Sequence, residues 1–108
     1  MNEVYESCIQ QCIRTAQQAE HCIVECMKEQ NPEILRCMQL NRDSADICLF
    51  ASKMMMRGSE NAALACELCA TICEDCAEEC NKHSTLQHCI DCAKACEECA
   101  AECRKILN

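Results

Sequence analysis

With 108 residues, a net charge of −8, one Gly, one Pro, one Tyr, one Phe and no Trp, the chain has material for one domain of a few long helices rather than a turn-rich scaffold. The acidic balance and the scarcity of aromatic rings argue against nucleic acid, since nothing supplies a basic patch or a stacking platform. No apolar run approaches a membrane span, and half the residues count as hydrophobic only because sixteen cysteines are included, so the core must be largely sulfur.

The first helix is expected over about 3–29, capped by Asn2, with Glu3 and Glu6 near its positive end. Its thiols are Cys8, Cys12, Cys22 and Cys26, and Thr15 and Ala19 fill the same stripe between them. Asn31-Pro32-Glu33 signals a second helix over 32–57, stopped by Gly58. It carries only Cys37 and Cys48, with Asn41, Ser44, Ala51 and Met55 on the same face, so this wall of the core is poor in sulfur and partly polar.

Ser59 is expected to cap a third helix over 60–82, and Ser84-Thr85-Leu86-Gln87 reads as a capping box for a fourth over 85–106. In the third, Cys66, Cys69, Cys73, Cys76 and Cys80 step by three, four, three, four; in the fourth, Cys89, Cys92, Cys96, Cys99 and Cys103 repeat the rhythm. Those steps follow the period of an α-helix, and each set of five falls within an arc of roughly 80°. Short connections make the four helices antiparallel neighbours, so the expected fold is an all-α, up-down-up-down four-helix bundle with a cysteine-lined core, spanning residues 1–108 as one domain. Ile9, Ile13, Leu68, Ile72, Leu86 and Ile90 flank the stripes, where they can seal helix seams or an oligomer interface.

Cysteine this dense suggests a secreted disulfide scaffold, but Met1-Asn2-Glu3-Val4-Tyr5-Glu6 has neither the basic nor the apolar region of a secretory signal. The expected location is therefore cytosolic, with thiols reduced. Thiols on one helix are also poorly placed for the narrow disulfide dihedral. One or two buried cysteines can serve as small hydrophobes, but sixteen on coherent stripes carry an oxidation risk that Ala, Val or Leu would avoid.

Metal binding by all sixteen cysteines accounts for the pattern, and spacing and charge discriminate among metals. Structural zinc takes isolated sets of four ligands, whereas these pairs fuse into ladders; the bacterial ferredoxin spacing for an iron–sulfur cluster is absent. Sixteen thiolates need about sixteen positive charges, which inward Lys and Arg do not supply. Cu(I) at about one ion per thiolate leaves a nearly neutral core, and soft sulfur selects it. A zinc or cadmium thiolate store and an iron–sulfur redox protein remain the alternatives.

The doubled Cys-x2-Cys-x3-Cys-x2-Cys-x3-Cys motif, the Cys8/Cys12 and Cys22/Cys26 pairs and the pair His83 and His88 together resemble the four-helix-bundle copper storage proteins, in particular their cytosolic class. The resemblance covers essentially the whole chain. It implies storage of multiple Cu(I) ions inside the bundle and assembly as a homotetramer; the expected partners are copper ions and a copper chaperone or efflux donor. Antiparallel topology puts His83 and His88 at one end, and the resemblance implies a role for them in metal uptake, while His21 sits opposite its helix's stripe. Of Met54, Met55 and Met56 only Met55 faces inward, as a ligand or a core plug, with Val4 and Leu107 gathered at the same far end. Asn41 is a candidate oxygen or nitrogen donor. Glu78/Glu79 and Glu97/Glu98 read as solvated faces, and no Ser/His/Asp arrangement or phosphate loop points to an enzyme.

Overall fold

A computed structural model describes residues 3–107. The expected cap Asn2 lies outside the described residues. Four helices account for most of them: α1 (Glu3–Glu29), α2 (Leu35–Met56), α3 (Ala62–Asn81) and α4 (Gln87–Leu107). Helix α1 packs on α2 and α4, and α3 packs on the same two, so α1/α3 and α2/α4 are the diagonals of an up-down-up-down bundle. The molecule measures 42 × 20 × 17 Å.

The helix ends follow local chemistry, with some shifts from the expected bounds. Helix α1 ends before Gln30, whose φ of 53° lies in the left-handed region that a non-glycine residue adopts at a cost. Asn31 accepts a hydrogen bond from the Glu33 N–H at 3.1 Å and Pro32 follows it, as the signal demands, but the first turn, Pro32–Ile34, is a 3-10 turn that feeds into α2. Gly58, at φ 60°, stops α2: its N–H donates to the Met55 carbonyl and that of Ser59 to the Met54 carbonyl.

The other two expected caps depart from the reading. The Ser59 hydroxyl accepts from the Asn61 N–H at 3.0 Å, so it shapes the turn and α3 proper begins at Ala62. The capping box at Ser84 does not form. Instead the Leu86 N–H closes a turn on the His83 carbonyl, and α4 starts at Gln87 with Cys89 and Ile90 donating to Leu86.

The core is a column of cysteine and alanine, joined by Ile9, Ile34, Ile47 and Met55. Of the flanking apolar residues, Ile9 is buried and Ile13, Ile72 and Leu86 pack partly against the core. Leu68 and Ile90 stay exposed on the bundle's outer surface. Met55 is fully buried at the end of α2, with Tyr5 and Ile106 packed partly against the core. Val4, expected to help plug that end, is 70% exposed and does not.

Candidate metal centre

All sixteen cysteines are unpaired and buried, and the stripes of α1, α3 and α4 converge with the two thiols of α2 on the bundle axis. Spacings of three and four set this up, because every stripe residue falls on the face its helix turns to its neighbours. The thiols lie in overlapping groups. Towards the end holding the chain termini, Cys8, Cys66 and Cys103 form one group and Cys12, Cys48, Cys69 and Cys99 another, with all sulfurs of a group within 4.8 Å of each other. Cys73 joins them at 3.6 Å from Cys48.

Towards the other end, Cys22, Cys26, Cys37 and Cys89 form a second group of four. Cys22 is shared with Cys80 and Cys92, and Cys92 with Cys76 and Cys96. The closest pair is Cys37 and Cys80, at 3.4 Å across α2 and α3. Shared sulfurs are what bridged clusters of a soft cation require, since one thiolate can hold two ions.

Among the described residues no Lys or Arg is buried, so nothing inside compensates ionised thiols. Burial pushes the Cys26 thiol up to about 12, with the neighbouring Cys22 adding to the effect, and contact with Cys22 pushes Cys37 up to about 12. Cys89 is raised by burial and by the charges of Cys22 and Cys37. Ionisation on a large scale therefore waits for a cation to replace the protons.

Asn41 sits fully buried in the sulfur-poor wall. Its Oδ1 accepts from Cys76 at 2.9 Å, Cys92 at 3.2 Å and Cys80 at 3.5 Å, while Nδ2 donates towards Cys37 at 3.8 Å. One amide thus ties together thiols of three helices. One turn further along α2, the Ser44 hydroxyl lies 3.4 Å from Cys73 and 3.5 Å from Cys96. At that level α1 offers Thr15, which donates to the Ala95 carbonyl at 3.1 Å and accepts from the buried Gln11.

His83 and His88 lie together at the end marked by Cys26, Cys37 and Cys89. The buried Nε2 of His88 has no hydrogen-bond partner, a free nitrogen one residue before Cys89. His83 Nε2 lies 3.2 Å from the Glu79 carboxylate. Glu79 is not the solvated acid expected of it: it is buried, and Arg36 at 2.7 Å and Lys82 at 3.3 Å reach it from the surface. Burial raises its carboxyl, but Arg36, His83 and Lys82 outweigh that and hold it below the ordinary carboxylate range. Sequence reasoning missed Glu79 and Gln11 as buried polar residues. The signal for Glu79 was its position four residues before His83 on one helix. His21, Met56 and Glu78 are exposed, as the helical phase requires.

The comparisons with known proteins converge on one family. The family model described as copper storage protein matches residues 1–108. A cysteine-rich protein of Bacillus subtilis (strain 168), called YhjQ and described as uncharacterized, is 42% identical over 90 residues, 82% of each chain. Among solved structures, the Cu(I)-bound copper storage protein BsCsp3 superposes with a TM-score of 0.93 at 40% identity, covering 98% of this chain and all of that one. A cytosolic copper storage protein from Streptomyces lividans, with five coppers, superposes with a TM-score of 0.90 at 29% identity over 97% of this chain and 92% of its own. The chain belongs to the copper storage protein family.

Proposed function

We propose that the chain is a cytosolic store that sequesters multiple Cu(I) ions on the sixteen thiolates of its core, acting as a binding protein and not as an enzyme. The observation that carries this reading is the set of interlocking groups of three and four buried sulfurs with no buried cation beside them. Each Cu(I) that replaces a thiol proton leaves the charge of the core unchanged, whereas a tetrathiolate zinc site leaves two negative charges in a low-dielectric interior. Kinship with Cu(I)-bound BsCsp3 supports the choice of metal. Asn41 adds a neutral oxygen donor within reach of three thiols, and Met55 serves as the plug of the far end more readily than as a ligand, since it is fully buried in the hydrophobic core.

Copper enters and leaves where His83 and His88 stand. A neutral imidazole binds Cu(I) less strongly than a bridging thiolate, so it can accept an ion from a chaperone or efflux donor and pass it inward to Cys26 and Cys89. Assembly as a homotetramer fits the exposed apolar residues Phe50, Leu64 and Leu68 on the α2–α3 side. The test is an anaerobic Cu(I) titration of reduced protein against a competing chelator. Binding should approach or somewhat exceed the thiol count, release protons and weaken as pH falls. Saturation at about four ions per chain overturns the reading in favour of zinc-like tetrathiolate sites.

A further inference from the structure

The thiols do not form one uninterrupted ladder. The close Sγ···Sγ pairs with hydrogen-bond geometry, 4.0 Å or less apart, join sulfurs on the same side of the level marked by Thr15 and Ser44; Cys8–Cys103, Cys12–Cys99 and Cys48–Cys73 lie on one side, Cys22–Cys26, Cys26–Cys89 and Cys37–Cys80 on the other. The groups of three and four sulfurs obey the same division. Eight thiols fall on each side. Cys73 on the side of the termini and Cys96 on the side of the histidines face each other across this level, and the Ser44 hydroxyl lies against both.

We propose that this waist splits the store into two compartments of eight thiols, filled in succession from the histidine end, and that Ser44 governs passage between them. The inference rests on the Cu(I)-storage reading and on copper arriving past His83 and His88. At every other level an ion finds three or four sulfurs, but at the waist α1 and α2 present hydroxyls, which are hard, weak ligands for Cu(I). An ion crossing is therefore handed from Cys96 to Cys73 with no third thiolate to hold it.

The exchange balances around one oxygen. The bond from Cu(I) to the Cys96 sulfur breaks as the bond to the Cys73 sulfur forms, and the proton leaving Cys73 must reach the vacated Cys96 thiolate. Ser44 Oγ lies 3.4 Å from one sulfur and 3.5 Å from the other, so it can accept the first proton while giving its own to Cys96. No free hydronium or hydroxide is needed in the buried core.

Stopped-flow uptake from a chelated Cu(I) donor should show two phases of similar amplitude in the unaltered protein, and crystals loaded with about half the saturating copper should show anomalous copper signal only in the histidine-end compartment. Ser44→Ala should slow the second phase by on the order of a hundredfold, the low side of what a positioned proton carrier contributes. Ser44→Cys supplies the missing sulfur and should merge the two phases into one. Copper distributed over both compartments at half loading, or a second phase unchanged in both variants, overturns the compartments while leaving storage intact. Saturation at about four ions in the unaltered protein overturns the storage reading and this inference with it.

Discussion

His83 and Glu79 are separated by a single hydrogen-bond distance, yet they answer to different parts of the molecule. The carboxylate is fixed by Arg36 and Lys82, and it accepts the His83 Nε2 proton, which leaves Nδ1 as the nitrogen with a free lone pair. His88, with its unpartnered Nε2, is the second proposed donor at the same end. Replacing both, His83→Ala with His88→Ala, should slow uptake from a chelated donor while lowering final capacity only by the few ions held at the mouth. Unchanged stopped-flow rates in that variant, together with slowing in Met55→Leu, would place the opening at the wrong end. Glu79 itself shows in the acid limb of stability. Its folded pKa lies below its ordinary value of 4.5, so its contribution is present above that pH and disappears as pH falls through the folded value. Urea midpoints measured from pH 7 to pH 3 should therefore fall less steeply in Glu79→Gln than in the unaltered protein.

At the scale of the element, the two residues that end α1 and α2 in the left-handed region predict changes of opposite sign. Gln30 carries a side chain at φ 53°, so Gln30→Gly should stabilise the reduced protein by about 1 kcal/mol through relief of backbone strain. Gly58 holds φ 60°, and a Cβ added to it would meet no atom within 4 Å, so Gly58→Ala should cost about 1 kcal/mol from the backbone alone. Thermal melts of both variants check the pair. The same helix ends mark how far the sequence could be read. Cysteine spacing placed α1, α3 and α4 with their inward thiols because periodicity acts over about four turns at once, while Asn31-Pro32 and Gly58 placed α2. Gln30 gave no sign of its conformation, since glutamine carries no preference for it, and Ser84 lost its capping role to a backbone turn at His83–Leu86. Glu79 looked like one acid among many on a solvated face. Its burial comes from Arg36 on α2, and cross-helix contacts of that kind leave no local trace.

For the whole molecule, the decisive fact is that its core holds neutral thiols in place of a hydrophobic filling of leucine and valine. A thiol buries like a small apolar group, so reduced metal-free protein should give a strongly helical circular dichroism spectrum at neutral pH. That stability has an alkaline limit. Cys26 and Cys37 are raised from 9.0 to about 12, so the folded state keeps protons that the unfolded chain releases above pH 9. The stabilisation is complete below pH 9 and is lost as pH rises towards 12. Anaerobic urea unfolding at pH 7.5 and at pH 10.5 should show the midpoint dropping at the higher pH, and a flat or rising midpoint would contradict the thiol burial described above.

On the proposed entry at the histidine end, the buried Met55 closes the far end of the bundle, and Tyr5 and Ile106 pack partly against the core. A tube with one mouth keeps a record of arrival: ions that settle first in the histidine-end compartment are passed inward beyond Ser44 as later ones arrive, so that at full load the earliest lie deepest and the latest stand nearest the exit. Withdrawal should therefore run in the reverse order of loading, so that the oldest copper is the last to be given up. Protein charged halfway with one stable copper isotope and completed with the other should, on brief exposure to a strong chelator, surrender mostly the second. Mass spectrometry of the released metal reads the order directly, and an isotope ratio equal to that of the full store would mean that the ions mix faster than they leave.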